Sequence, residues 1–380
     1  MKILLLSCHL YQSKNQAGFH HYANAFQKLN HNVSFCTCPN SLLNLLKELK
    51  TDPSRFFERV KVLWFSFFPT RKKGIRVSGY FSLLHNYANL NYGQSIFKLI
   101  FLLGYSRIFN SSENYDIIIF ESNICLYLHK KLKKQFPSAT FIYRISDVLK
   151  LIGGSDDLIA HEKTIIHDFD LLVVPTKATY AAFKALAPSS KILLQQQGVN
   201  KHQFEHAMQS PSPYDKSFKH AAYVGMSEID WEFIQIAANL FPNIQFHIIG
   251  PYSKKISSSN IFYHGLLPFQ DSLPYIAHCD LGLNIARYPN ETPSSFIPAN
   301  KPLKYMQYTY FKKPIITPSY LQLNEPHVFN YDSNENSIKR AIEDALAGSF
   351  TIHEKIFDWL DHSREIIAQT STDLTHPNTH

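Results

Sequence analysis

Two short apolar runs, separated by a proline-broken loop and one helix, constrain this chain more than any other feature. Leu281 to Ala286 and Lys313 to Thr317 are short and largely apolar, and each reads as a buried strand. Between them Pro289, Pro293 and Pro298 forbid regular structure, and Lys301 to Phe311 reads as a helix with Pro302 in its first turn. Strand, loop, helix and strand make one β/α/β unit of a parallel sheet. Such sheets bind ligands outside the carboxyl ends of their strands, where a loop meets a helix N-terminus. The free N–H groups and partial positive charge of that terminus suit phosphate. Lys304 lies one turn into the helix and Gln307 follows on the same face. A cation and an amide so placed would hold a diphosphate and a ribose.

The same alternation runs along most of the chain, and 380 residues favour two domains over one. Lys2–Cys8 reads as a strand, Phe19–Asn30 as a helix and Asn32–Cys38 as a strand, the start of a doubly wound nucleotide-type fold. No Gly-x-Gly-x-x-Gly fingerprint follows the first strand, which argues against a dinucleotide cofactor. Strands are expected at Asp116–Glu121, Thr140–Ser146, Leu171–Pro175 and Lys191–Gln196. Helices are expected at Ile124–Phe136, Asp156–Phe169 and, capped by Thr176, Lys177–Ala187. A polar, Pro-containing linker, Ala207 to Lys219, then leads to a second alternating series. Strands there fall at His220–Val224, Gln245–Gly250 and Asn260–Gly265, with helices at Ile229–Leu240, Leu273–His278 and Ser337–Ala347, the last capped by Asn336. Phe350 to Ala368 reads as a final helix. The expected domains are 1–205 and 206–350, with a C-terminal helix and polar tail at 351–380.

Asn40 to Phe109 breaks the pattern. Lys and Arg alternate with Phe and Trp from Arg55 to Lys73, and aromatic residues continue through Tyr105. That composition suits a surface seated in an anionic membrane interface, or a large-residue core under a solvated basic cap. The formal charge of +8 favours anionic partners: nucleotides, nucleic acid or an acidic membrane face. No nucleic-acid-binding motif is present. No signal peptide is evident, and no run approaches the roughly 18 apolar residues of a membrane span. Of the cysteines, Cys36-Thr-Cys38 has one spacer and no partner pair, so neither a zinc site nor a redox motif is supported; buried thiols in a reducing cytosol fit better. The adjacent His20 and His21 read as one inward and one solvated side chain, or as ligand contacts at the edge of the first strand.

The stretch from Tyr288 through Lys304-Tyr-Met-Gln307-Tyr308 to Pro314 resembles the donor-binding segment of the two-domain GT-B glycosyltransferases. It departs from the glutamate pair common in the retaining members, having Ala299 and Gln307 at those places. It is closer to the GumK-type bacterial glucuronosyltransferases of xanthan assembly. The resemblance implies an α/β fold of two Rossmann-like, doubly wound domains facing a cleft. It also implies an inverting, metal-independent transfer of a sugar from a UDP-sugar, which is a substrate and not a cofactor. The implied acceptor is a lipid-linked saccharide at the cytoplasmic face of the cell membrane, where the protein would sit peripherally. A retaining hexosyltransferase of the same fold is one alternative. A sugar-nucleotide-binding scaffold that has lost catalysis is another.

Inverting transfer needs a general base, a stabiliser for the leaving diphosphate and exclusion of water. The resemblance gives the base to an aspartate of the first domain, and Asp147 follows the strand Phe141–Ile145 at its carboxyl end. Asp156, Asp157 and Glu121 are its rivals, and a loop or capping carboxylate is the plainer reading. Lys304 and the helix N-terminus would stabilise the diphosphate, and no Asp-x-Asp motif ends a strand, so no metal site is expected. Met226, Tyr288 and Leu303 would wall the nucleobase. Arg287 and Lys301 would neutralise phosphate or a sugar carboxylate.

Overall fold

The computed structural model describes residues 1–12, 16–41, 45–46, 49–50, 53–82, 99, 101–109, 114–150, 152–226, 228–253, 256–285, 287 and 302–371. In chain order its elements are β1 (Lys2–Ser7), α1 (Gly18–Lys28), β2 (Asn32–Ser41), α2 (Pro53–Phe67), β3 (Thr70–Lys72), β4 (Ile75–Ser82), β5 (Ile117–Glu121), α3 (His129–Gln135), β6 (Thr140–Arg144), α4 (Asp156–Ile165), β7 (Leu171–Val174), α5 (Lys177–Leu186), β8 (Ile192–Leu194), α6 (Lys201–Gln209), β9 (Lys219–Val224), α7 (Trp231–Leu240), β10 (Ile244–Ile249), β11 (Ile261–Gly265), α8 (Phe269–His278), β12 (Leu281–Leu283), α9 (Leu303–Tyr310), β13 (Ile315–Pro318), β14 (Val328–Tyr331), α10 (Glu335–Ala347) and α11 (Trp359–Ser371). They form two compact units, Met1–Gln196 with Trp359–His380, and Gln197–Asp358.

The first unit is built on an eight-stranded sheet in the order β3-β4-β2-β1-β5-β6-β7-β8. Every pairing is parallel except that of β3 with β4. Strands covered on both faces need apolar residues at every position, and the five residues of β5 (IIIFE) are all buried. One face carries Leu4, Leu6, Ile118, Phe120, Phe141 and Tyr143. The other carries Ile3, Leu5, Ile117, Ile119 and Ile142, packed with Phe19, Tyr22 and Phe26 of α1. The same core holds Trp359 and Ile366 of α11. Trp359 stacks on His21 and meets Tyr22 edge-on. Gln195 locks this corner: it accepts from the Tyr22 hydroxyl at 2.8 Å and donates to the His362 carbonyl at 3.0 Å and Glu365 at 2.8 Å.

The stretch expected to be irregular, 40–109, contains α2 and the β3–β4 hairpin, which extends the sheet beyond β2. Lys, Arg and Gly interrupt the apolar pattern there, which hides β4 from a reading by periodicity. A β-carbon on Gly79 of β4 would stand 2.4 Å from the Val62 carbonyl oxygen of α2, so this crossing requires glycine. The outer stripe of α2 is apolar and exposed: Phe57, Val60, Trp64 and Phe67, followed by Phe68. The stretch 83–98 of the basic-aromatic region lies outside the described residues.

The second unit has a six-stranded sheet, β11-β10-β9-β12-β13-β14, parallel throughout. It starts at Gln197, not at 206, because α6 belongs to it: Phe204 and Ala207 pack in one core with Tyr214, Ile276, Met306 and Ile315. It ends at Asp358, not at 350. Val199 N–H donates to the Phe357 carbonyl at 3.0 Å and Lys201 N–H to Asp358 at 2.9 Å, so the two chain crossings are tied together. The final helix is correspondingly later than expected, Trp359–Ser371 instead of Phe350–Ala368. Asn334, not Asn336, caps α10 by accepting from Ser337 N–H at 2.9 Å. Helix α8 begins four residues before the expected Leu273 and carries Pro274 inside it.

Three histidines line up across this sheet. His220 Nε2 meets the Asp215 carbonyl at 2.6 Å, His220 Nδ1 meets His247 Nε2 at 3.1 Å, and His247 Nδ1 meets His264 Nε2 at 3.0 Å. A carbonyl only accepts, so each ring in turn must carry its proton on Nε2 and accept on Nδ1. Burial pushes His247 down to about 3 and lowers His264, which disfavours a charge on these two rings.

Candidate functional site

Each sheet has a switch point, where strand order reverses about a central strand and a crevice opens at the carboxyl ends. In the second unit this point lies between β9 and β12. Strand β9 leads into Gly225 and Met226, and Lys304 of α9 reaches the same place. Its Nζ donates to the Tyr223 hydroxyl at 2.9 Å and lies 4.2 Å above the centre of that ring. A β-carbon on Gly225 would stand 3.0 Å from Lys304 Nζ and 3.0 Å from the Tyr223 hydroxyl oxygen, so glycine makes room for the amine. Tyr252 fixes the glycine by donating to its carbonyl at 2.9 Å.

Lys304 is buried, and burial pushes it down to about 8 from 10.5. Such a fall corresponds to about 3 kcal/mol of unfavourable charge burial. Among the described residues its partners are the hydroxyl and ring of Tyr223, and no carboxylate pairs with it. A bound anion would remove that penalty. Gln307 lies one turn further on and is also buried. Met226 and Leu303 are exposed, at 60% and 38%, and so are open to a ligand. Arg287 is exposed, its N–H donating to the Glu228 carbonyl at 2.8 Å. Tyr288, Ala299 and Lys301 lie outside the described residues.

In the first unit the switch point lies between β1 and β5. Glu121 ends β5 and is buried there. It accepts from the Ser7 hydroxyl at 2.5 Å and Cys8 N–H at 3.3 Å, and its other oxygen stands 3.5 Å from His9 Nε2. Burial alone would raise the carboxyl, but the hydrogen bond and charge of His9, with Ser7 and Cys8, hold it below its ordinary value. Burial likewise opposes charge on His9, and Glu121 and Asp147 more than offset it, so the ring rises above its ordinary value. The pair is therefore an imidazole and a carboxylate that each favour the other's charged form.

Asp147 follows β6 at its carboxyl end and is exposed. The surrounding protein and then the Glu121 charge raise its carboxyl, while Arg144 and His9 pull it down. A carboxylate raised above its ordinary value and open to solvent can accept a proton. Of the rivals, Asp157 accepts from the Tyr127 hydroxyl and Asp156 is an exposed residue in the first turn of α4. Glu121 is occupied by Ser7, Cys8 and His9, and by Asn123, whose Nδ2 donates to it at 3.4 Å. His20 is buried, with Nδ1 accepting from Ala17 N–H at 3.0 Å, and His21 stacks on Trp359.

Among the described residues, Cys8, His9 and Glu121 form one group whose ligand atoms lie within 4.8 Å of one another. The donor set suits an ion pair better than a metal: the surrounding protein and then Glu121 hold the thiol of the exposed Cys8 protonated, and His9 directs Nε2–H at Glu121. His9 and Cys8 were not foreseen, though Ser-Cys-His directly after the first apolar run already stood at a strand's carboxyl end.

Residues 5–175 match the family model described as the glucuronosyltransferase GumK, N-terminal domain. Over 255 residues the chain is 26% identical to UDP-glucuronate:glycolipid 2-beta-glucuronosyltransferase of Xanthomonas campestris pv. campestris. That alignment covers 66% of this chain and 62% of the relative. Among solved structures, sucrose-phosphate synthase of Thermosynechococcus elongatus superposes with a TM-score of 0.61 at 12% identity, covering 98% of each chain. Anabaena HepE in complex with UDP and glucose gives 0.58 at 15%, covering 98% of this chain and all of that one.

Proposed function

From a chain that has the two-domain Rossmann-like fold of the GT-B glycosyltransferases and resembles GumK through its first domain, we propose an inverting glycosyltransferase acting on a UDP-sugar. The observation that carries this reading is Lys304: a buried amine at the switch point of the second unit, beside a glycine, with no carboxylate among its described partners. The diphosphate of a sugar nucleotide supplies the missing anion, and Met226 and Leu303 offer apolar surface to the base. Tyr288, Gln307, Lys301 and Arg287 complete the proposed donor set.

Asp147 is the base. The acceptor oxygen bonds to the anomeric carbon as its proton passes to Asp147. The bond from that carbon to the diphosphate breaks, and its electron pair leaves with UDP. Lys304 and the N-terminus of α9 carry the charge that develops on the leaving group, so the proposed reaction needs no metal. The resemblance favours glucuronate as the sugar and a lipid-linked saccharide as acceptor.

The exposed stripe of α2 would seat the protein on the anionic inner face of the cell membrane, without entering it as a span. No described helix is long and apolar enough to cross a membrane. The test is transfer from UDP-glucuronate to a lipid-linked saccharide by the purified chain, with Asp147→Asn as control. The variant should bind UDP as the parent does and transfer about 10²–10⁴ times more slowly. Transfer at the parent rate would remove Asp147 from its role.

A further inference from the structure

We infer that His9, held by Glu121, is an acceptor-binding residue that works beside Asp147 in the same transfer. The inference deepens the glycosyltransferase reading and rests on it. Its basis is placement. His9 follows β1 and Glu121 ends β5, the two strands that flank the switch point of the first unit. Asp147 lies at the end of the next strand along and feels both charges. The His9 side chain is 42% exposed and the Glu121 side chain 5%. The pair is thus a buried carboxylate that favours a positive charge on a half-exposed imidazole, a costly arrangement for packing alone.

The orientation of the ring assigns its task. Nε2 faces Glu121, which leaves Nδ1 as the ring's second polar atom, a donor when the ring is protonated. An acceptor sugar offers oxygens on both sides of the attacking hydroxyl. A hydrogen bond from Nδ1–H to one of these neighbours would turn the hydroxyl toward Asp147. His9 keeps its proton throughout, and the only proton that moves goes from the acceptor to Asp147. The other groups facing the ring support this state. His20 of α1, with ring centres 5.9 Å apart, is held neutral by burial and competes little. The Cys8 thiol beside it is held protonated, and Arg144 acts on Asp147 from the end of β6.

The arrangement requires Asp147 ionised and His9 protonated, so kcat/KM for the acceptor, taken at saturating UDP-glucuronate so that Lys304 stays charged against the bound diphosphate, should be bell-shaped in pH. Its acid limb belongs to Asp147 and its alkaline limb to His9. The experiment measures pH profiles of the full chain with UDP-glucuronate and octyl glycosides of glucose, mannose and galactose. His9→Gln should lose the alkaline limb, raise the acceptor KM by about tenfold or more, and leave UDP affinity within about twofold. Glu121→Gln should move both limbs to lower pH, because His9 loses its counter-charge and Asp147 its repulsion. A purely structural His9 would lower kcat without erasing a limb. If the parent transfers and His9→Gln keeps both limbs with an unchanged acceptor KM, this inference is wrong and the transferase reading stands. If the parent transfers to none of the glycosides, both are overturned.

Discussion

At the scale of single residues, Lys304 joins a structural cost to a binding role. An amine near 8 is only partly charged in mildly alkaline solution, and a diphosphate beside it would favour the proton. UDP binding should therefore take up protons near pH 8 and weaken as pH rises above it. Calorimetry in buffers of different ionisation enthalpy reads this directly. Lys304→Ala should weaken UDP binding about tenfold or more, the usual size of a charge-assisted contact. Affinity within twofold of the parent would place the diphosphate elsewhere. Lys304 was legible because its loop, helix and strand are contiguous in sequence. Tyr223 and Gly225, which hold it, were not: 81 residues separate Lys304 from Tyr223, and only the sheet brings them together. His9 and Glu121 were obscured in the same way, each at a strand end that periodicity finds without revealing its neighbour.

At the scale of elements, buried parallel strands announce themselves by unbroken apolar runs, and β1, β5, β7 and β10 were found on that basis. Strand β4 was missed because its neighbours, α2 and a tight hairpin, are rich in charge and aromatic residues. Helix α2 explains that composition. Its inner face packs Val62 and Ser66 against β4, while Phe57 and Trp64 stand 63% and 60% exposed on the other side. The full chain should float with anionic vesicles, and the double variant Phe57→Ser/Trp64→Ser should not. Raising salt should weaken binding through Lys61 and its basic neighbours, since exposed charges are screened. Equal flotation on neutral lipid would deny the electrostatic part.

The histidine row across β9, β10 and β11 makes a separate prediction. His247 titrates near 6.5 when unfolded and near 3 when folded, so below about pH 6.5 the unfolded chain takes up a proton that the native ring refuses. Stability is fully present above 6.5 and falls with pH down to about 3. By pH 5 the loss from His247 alone is about 2 kcal/mol, or roughly 4–8 °C in Tm for a unit of this size. Thermal scans across that range should show the slope, and His247→Asn should flatten it.

For the whole molecule, the division into units is not the division of the sequence into halves. The seam falls nine residues before the expected 206 because α6, whose first residues read as the end of the first domain, packs Phe204 and Ala207 into the core of the second. The first unit is completed by α11, whose Trp359 is buried between His21 and Tyr22. Trp359→Ala should cost about 3–5 kcal/mol. Hydrogen exchange should then speed up in β1, β2 and β5 and not in β9 to β14; uniform acceleration would contradict the assignment.

The return of the chain to its first unit also has a consequence in time. On the ribosome, residues 197–358 are made before α11 exists. A unit that starts at Met1 must therefore wait, with the α1 groove that Trp359 and Ile366 fill still open, while the later one already has every strand it needs. Domains that fold as they emerge usually finish from the N-terminus onward. Here the order of completion is reversed, and the interval between the two events is when a chaperone would find apolar surface to hold.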